Sequence, residues 1–294
     1  MTAGGDNQTR DGRHIDVSIG RLEGEASQQR AGSADPGSPQ PYEVWNRVPA
    51  EERDGDRTYF DRPVIKEPVW IWAVPAYFYA GGTAGAAAVL GEVAESLGRG
   101  ELDGLVRRAR WVGATGGAIG TALLIYDLGR PERFLHMLRV FRPTSAMSVG
   151  SWVLAVATPV FGGSAILPHT GGLIGRVGNI LGKVSGIIGM PLAAYTAVLL
   201  SNSAVPVWQA SRRSLPFLFV SSAVSSAGAL LGMMQFNDTE EQVVRRFAIA
   251  GGVAETIAGS MVEREVSKVE RVGRPLEEGL SGSLWKAAKV FGGV

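Results

Sequence analysis

The feature that most constrains this chain is a series of long apolar runs separated by short polar segments. The first covers 69–97, contains no basic residue, and has its only charges, Glu92 and Glu95, at its far end. About 20 apolar residues cross a bilayer core as a helix, and backbone groups in lipid must be satisfied within each segment. Further runs cover 111–126, 147–167, 184–200, 216–234 and, in a shorter and weaker form, 247–261. The pattern predicts an all-α polytopic membrane protein, a transmembrane helix bundle of six spans.

The two ends of the chain differ from this middle part. Residues 1–60 have few apolar side chains and no periodicity, which predicts a disordered polar tail. The transmembrane bundle is expected over 61–261. The remaining 262–294 begins as a polar linker, and from Leu284 to Phe291 it has the pattern of a partial seventh helix. Two interpretations of that segment stay open: a short amphipathic anchor, or the start of a longer helix in a truncated chain.

Composition excludes several kinds of function. The net charge of +1 gives no indication of a nucleic-acid surface. The absence of cysteine excludes disulfides and thiolate-held iron–sulfur clusters in this chain. His14, His136 and His169 all lie outside the apolar runs, which argues against a buried haem with two histidine ligands. No phosphate-binding or metalloprotease motif occurs, so any redox role needs a diffusible organic carrier and an external electron partner.

The segment between the second and third apolar runs concentrates charge close to lipid, where charged groups are costly and usually functional. Asp127 lies where the second run meets the interface, and it has two interpretations. One is a structural ion pair with Arg130 that anchors the turn. The other is a carboxylate that exchanges protons, with a pKa set by desolvation and by nearby arginine. The basic residues of the segment are Arg130, Arg133, His136, Arg139 and Arg142.

Four further side chains in the apolar runs are candidates for chemistry. Glu255 lies midway along the sixth run, and it is an intramembrane proton relay if that run spans, or a wet side chain if the run lies at the interface. Tyr195 is a lone phenol in the fourth run, either a core or belt residue or a hydrogen-bond donor to a ligand carbonyl. Tyr77 and Tyr79 in the first run carry the same two interpretations.

Three motifs carry a resemblance to a known family. They are DLGRP at 127–131 with Arg133 and Phe134, RPTSAMSVGSW at 142–152, and YTAVLLS at 195–201 followed by Pro206 and Trp208. Together they resemble the NrfD/polysulfide reductase membrane-subunit family, and the likeness covers about 69–261. That resemblance implies a fold in which the first four helices form a four-helix bundle, and a multi-pass protein of the inner cell membrane.

The resemblance also implies a function. Members of this family are quinone- or quinol-reacting subunits that contain no haem and are not catalytic without their partners. Those partners are a ferredoxin-like iron–sulfur subunit and a molybdopterin-type catalytic subunit. The carrier would be menaquinone or ubiquinone, exchanging electrons with the iron–sulfur partner, which would dock over the loop from Arg130 to Arg142, including Arg133 and Arg139.

Family positions carry over to individual residues of this sequence. Tyr195 matches a quinone-contacting tyrosine of the fourth helix, and Asp127 with Arg130 matches the signature turn near the iron–sulfur partner. Tyr77 and Tyr79 are the quinone-pocket candidates of the first helix, and Arg130 is expected to bind the quinone as well. Glu255, identified from its place in the sixth run and not from a family position, is a second candidate acid for proton exchange. Two other functions stay open: a proton or ion transporter, and a purely structural membrane anchor.

Overall fold

The computed structural model describes residues 70–98, 100–203 and 205–292, and this part of the chain is helical with no strand. Its α-helices are α1 (Ala73–Leu97), α2 (Asp103–Asp127), α3 (Phe134–Met137), α4 (Ala146–Ile166), α5 (Gly172–Ser201), α6 (Pro206–Ala210), α7 (Leu215–Gly232), α8 (Asp238–Val266), α9 (Glu270–Glu277) and α10 (Gly279–Gly292). Short 3₁₀ helices cover Pro131–Arg133 and Leu167–Thr170. The predicted polar tail at 1–60 lies outside the described residues.

Within the described residues, three helical segments are long and apolar enough to cross a membrane. They are Ala146–Thr170, Gly172–Ser201 and Leu215–Gly232. The helices α1, α2 and α8 have 25, 25 and 29 residues, which is about 37 to 43 Å of helix, but they are not among these three segments. The prediction of an all-α fold is confirmed for the described residues, whereas the number of six spans stays a prediction.

Four long helices pack around one another in a closed ring. Around this ring, α1 packs against α2, α2 against α4, α4 against α5, and α5 against α1. Helix α7 packs against α1, α5 and α8, and α10 packs against α9 and α8. We call α1, α2, α4 and α5 the four-helix ring. Consecutive members run in opposite directions, so the starts of α1 and α4 meet the ends of α2 and α5 at one end.

The interior of the ring is filled by a few large side chains among many small ones. Phe161, Leu154 and Leu192 are buried there together with Ala84 and Ala88. Helices in lipid associate mainly through close packing, and small residues permit it. At the crossing of α1 and α5, a Cβ atom on Gly85 would lie only 2.5 Å from the carbonyl oxygen of Gly189. The two backbones can approach this closely because neither position carries a side chain.

A polar cluster links three helices at the other end of the ring. The guanidinium of Arg110 on α2 lies 2.5 Å from a carboxylate oxygen of Glu95 on α1, and it donates a 3.2 Å hydrogen bond to Asn179 on α5. Helices α2 and α5 begin at Asp103 and Gly172, eight and twelve residues before the predicted apolar runs, and Arg110 and Asn179 lie in these additional turns. Polar side chains that pair within the protein extend a helix beyond its apolar part.

Candidate functional site

The turn after α2 places a buried carboxylate at the end of the four-helix ring. Helix α2 ends at Asp127, Gly129 takes a left-handed φ of 66°, and Pro131 starts the following 3₁₀ helix. Proline lacks a backbone N–H and is well suited to such a first helical position. The Asp127 side chain is only 3% exposed, and its Oδ1 accepts a 3.4 Å hydrogen bond from the backbone N–H of Ile71, just before α1.

The loop that leads into α4 is fixed by one serine. Ser148 donates its hydroxyl to the carbonyl of Val140 at 3.3 Å and accepts the backbone N–H of Arg142 at 3.0 Å. Its own N–H donates to the side chain of Ser145, the N-cap of α4, at 3.4 Å. The MSVGSW motif therefore begins by tying the basic loop to the first turn of α4.

The phenol of Tyr195 crosses from α5 to the first turn of α4. Its hydroxyl donates a hydrogen bond to the backbone carbonyl of Ala146. The ring lies directly against Gly150, where an added Cβ would occupy the space of the phenol itself. Only glycine at this position leaves room for the tyrosine to reach the start of α4.

An outer cleft of about 830 Å³ opens between α4 and α5. Its walls are mainly apolar side chains, and Thr144, Asn202 and Ser203 are polar members of the lining. Pro191, inside α5, also lines it. The remaining lining residues are Trp70, Pro143, Ala146, Val149, Val153, Ala194, Tyr195, Val198 and Leu199. A cavity of this volume falls in the range of about 300 to 1,000 Å³ that is usual for small-molecule sites.

An inner cavity of about 60 Å³ lies at the same end of the ring. Its polar lining comes from Asp127, Tyr77, Tyr195, Ser151 and Trp70. The apolar lining includes Val74, Phe78, Leu124, Leu128, Phe134, Met137, Met147 and Leu199. Three residues, Trp70, Tyr195 and Leu199, line both the outer cleft and the inner cavity, so these side chains form the partition between the two spaces.

Aromatic rings hold this partition in place. Trp70 stacks on Trp208 of α6 with ring centroids 5.7 Å apart, and it meets the edge of Phe78 at 6.3 Å. Phe78 in turn packs against Phe219 of α7 at 5.8 Å. Such pairs add to the burial energy of each ring. The cavity wall is therefore supported from outside the four-helix ring by α6 and α7.

The structure brings together three of the residues predicted from sequence. Asp127, Tyr77 and Tyr195 line the inner cavity, and Tyr77 is only 2% exposed. Tyr79 is 60% exposed and lines neither cavity, because side chains two positions apart on a helix point about 200° apart. Arg130 is half-buried in the turn and also lines neither cavity.

Glu255 lies elsewhere in the structure. It lines a separate cavity of about 50 Å³ together with Leu218, Trp285 and Lys289. This cavity is formed by α7, α8 and α10, outside the four-helix ring. Glu255 therefore has no direct contact with the cavities that Tyr195 lines, and its predicted role as a proton relay stays a separate prediction.

The basic loop lies beside the inner cavity. Arg139 and Arg142 are exposed, and of Arg133 only the backbone, in the 3₁₀ helix Pro131–Arg133, is described. Exposed apolar side chains accompany these arginines, namely Leu135, Val140 and Phe141. In the parts of the chain that the structure describes, no group of three His, Cys, Asp or Glu side chains is placed to hold a metal ion.

Sequence reasoning missed two residues of this site. Trp70 has the composition signal of an interfacial belt residue, and only the packing shows that it lines both cavities. Gly150 lies in the MSVGSW motif, and a glycine there can indicate that another group packs closely against the backbone. Only the packing of α5 shows that this group is the Tyr195 ring. The cleft itself depends on the packing of α4 against α5, which no local pattern encodes.

The comparisons with known proteins add a family to this geometry. No curated protein matches the chain. The family model described as "Polysulphide reductase, NrfD" matches residues 63–263, which is more than half of the chain and includes the whole four-helix ring with both cavities. Together with the three apolar helical segments, this match identifies a membrane protein. The chain belongs to the polysulphide reductase NrfD family.

Proposed function

We propose that this protein is the membrane subunit of a respiratory oxidoreductase complex, and that it binds a quinone or quinol and exchanges electrons with an iron–sulfur partner subunit. The observation that carries the proposal is the convergence of Asp127, Tyr77 and Tyr195 on one cavity beside a larger apolar cleft. Family membership supports the same function, because NrfD proteins interact with quinones in general.

The two cavities suit different parts of this task. The outer cleft has the volume and the apolar lining that an isoprenoid-tailed ring requires. The inner cavity is far smaller than a usual ligand site, but it is large enough for a few water molecules. We place the carrier in the outer cleft, with one ring oxygen toward Tyr195. Asp127 then lies on the far side of the partition, within reach of water in the inner cavity.

In the proposed reaction, the carrier and the iron–sulfur partner together account for the electrons and protons. Oxidation of a quinol releases two electrons and two protons, and reduction of a quinone is the reverse. The phenol of Tyr195 hydrogen-bonds one ring oxygen and fixes the ring in the cleft. Asp127 takes up or supplies protons through the inner cavity. The two electrons pass to or from an iron–sulfur cluster of the partner, and the carrier itself supplies the redox chemistry.

The exposed loop supplies a docking surface for that partner. Arg139 and Arg142 are exposed beside Val140 and Phe141, and a basic rim around apolar side chains suits an acidic, ferredoxin-like protein surface. We assign Arg130 and Arg133 to the same surface. A molybdopterin-type subunit would complete the complex on the far side of the iron–sulfur partner, and the inner cell membrane is the proposed location.

We further propose that α8 is a sixth membrane-spanning helix. Its residues Ile249, Val253, Ile257 and Met261 are all exposed, and they recur at every fourth position, which places them on one face. The opposite face packs against α7. An exposed apolar stripe of this length suits contact with lipid tails, and it would place Glu255 within the membrane.

Binding of short-tail ubiquinone and menaquinone to the purified full chain in lipid nanodiscs tests the function. Quenching of tryptophan fluorescence reports occupancy, because Trp70 lines both cavities. We expect saturable binding that Tyr195→Phe weakens and that Tyr126→Phe, an exposed tyrosine of α2, leaves unchanged. Absence of saturable binding would contradict the proposal and favour a structural anchor, and ion flux into proteoliposomes without a partner would favour a transporter.

A further inference from the structure

The direction of one hydrogen bond bears on which redox form of the carrier this site prefers. The Tyr195 hydroxyl contacts the backbone carbonyl oxygen of Ala146. A carbonyl has no proton to give, so the tyrosine must be the donor. A phenol carries one proton, and that proton is committed to Ala146. The backbone N–H of Gly150 also donates to the Tyr195 oxygen. What this oxygen still offers to the outer cleft is therefore its second lone pair, which can only accept.

The two redox forms of the carrier differ in what they need from this oxygen. A quinol presents a hydroxyl, which can donate to the Tyr195 oxygen while the bond to Ala146 stays intact. A quinone presents a carbonyl, which can only accept. To bond a quinone, Tyr195 would have to withdraw its proton from Ala146, and one hydrogen bond would be exchanged for another with no net gain.

The fit of Tyr195 against Gly150 holds the phenol in this arrangement. A Cβ at position 150 would occupy the space of the ring and of the hydroxyl, so glycine is required for the phenol to reach the Ala146 carbonyl. Gly150 is therefore a positioning residue that acts through Tyr195. Helix α4 offers a matched glycine at Gly162, where an added Cβ would meet no neighbouring atom within 4 Å.

We propose that the cleft binds the quinol form of its carrier more tightly than the quinone form, because Tyr195, placed by Gly150, donates its proton to Ala146 and presents an acceptor to the ligand. This inference rests on the proposed function. The preference is expected to be roughly 3- to 10-fold in Kd, the contribution of one neutral hydrogen bond.

The test compares Kd values of short-tail ubiquinol and ubiquinone for the full chain in nanodiscs, measured anaerobically. The wild type should bind ubiquinol more tightly by roughly 3- to 10-fold. In Tyr195→Phe and in Gly150→Ala the ratio should fall toward one, mainly through weaker ubiquinol binding, whereas Gly162→Ala should keep the wild-type ratio. In a Tyr195→Phe background, Gly150→Ala should not change the ratio further, since both substitutions remove the same bond.

The possible results distinguish failure of the proposed quinone site from failure of the proposed quinol preference. Binding of neither form would contradict the proposed function itself. Equal binding of both forms, or tighter binding of ubiquinone, would overturn the preference and leave the quinone site standing. If Gly150→Ala fails to fold, Tyr195→Phe against Tyr126→Phe still decides the question. A wild-type ratio in Tyr195→Phe would show that the phenol does not set the preference.

Discussion

Asp127 at the end of α2 and Tyr195 on α5 line the same cavity of about 60 Å³, and Tyr195 alone of the two also lines the outer cleft. Asp127 and Tyr195 therefore border one small space. A ligand in the outer cleft reaches Tyr195 directly and Asp127 only through the inner cavity. This separation gives the two residues distinct roles, one in holding the ring and one in moving protons.

Replacing Asp127 by asparagine tests the proton-exchange role. The amide keeps the size of the side chain but cannot take up a proton, so quinol-dependent electron transfer in membranes should fall by roughly 100-fold, the usual scale of general acid–base catalysis. Ubiquinol affinity should change little, because Asp127 does not line the outer cleft. Glu132→Gln, an exposed acid of the same turn, is the matched control, and equal rates for the two variants would argue against the role.

Replacing Arg110 by methionine tests the polar cluster at the other end of the ring. Arg110 is 8% exposed and pairs with Glu95 and Asn179. Its removal leaves the Glu95 carboxylate without this partner. Because Glu95 is itself partly exposed, we expect a loss of about 1–3 kcal/mol in unfolding free energy, less than for a fully buried pair. Thermal unfolding in detergent measures the effect, and Arg107→Met, at an exposed position of the same helix, should leave the melting temperature nearly unchanged. A melting temperature for Arg110→Met equal to that of the control would show that the cluster adds no stability.

Single-cysteine labelling tests whether α8 crosses the membrane. The natural chain has no cysteine, so one introduced thiol is the only target. Val253→Cys lies on the exposed apolar stripe of α8, where lipid should keep it from a water-soluble maleimide in opened membranes, because thiolate formation is disfavoured in apolar surroundings. Glu241→Cys, exposed in the first turn of the same helix, should react readily. Similar labelling of both positions, without detergent, would place α8 in water.

The sequence was sufficient for the helices but not for their full lengths. Hydropathy locates only the apolar part of a helix. A helix can continue past that part where its polar side chains pair inside the protein, and hydropathy does not detect this extension. Arg110 illustrates this, because it lies just outside the predicted run at 111–126, while the structure buries it in α2 against Glu95. Helix α10 also begins before its apolar part, at Gly279, five residues before the predicted Leu284.

The site was only partly predictable, for a similar reason. Asp127, Tyr77 and Tyr195 were identified as polar groups in apolar runs, and the structure brings them to one cavity. Tyr79 is also a polar group in an apolar run, but it faces outward. The run alone does not indicate which face of the helix packs against a neighbouring helix. Gly150 was not identified from the sequence. Its role depends on Tyr195, which packs against it from another helix.

Photolabelling with an azido-quinone tests the central claim most directly. The full chain in its native membranes would be irradiated with the probe, and the modified peptides mapped by mass spectrometry. The account predicts adducts on the lining of the outer cleft, within 143–153 or 191–203, that excess short-tail ubiquinol suppresses. Adducts confined to other helices, or adducts in these segments that excess ubiquinol does not reduce, would contradict the assignment of this cleft as the quinone site.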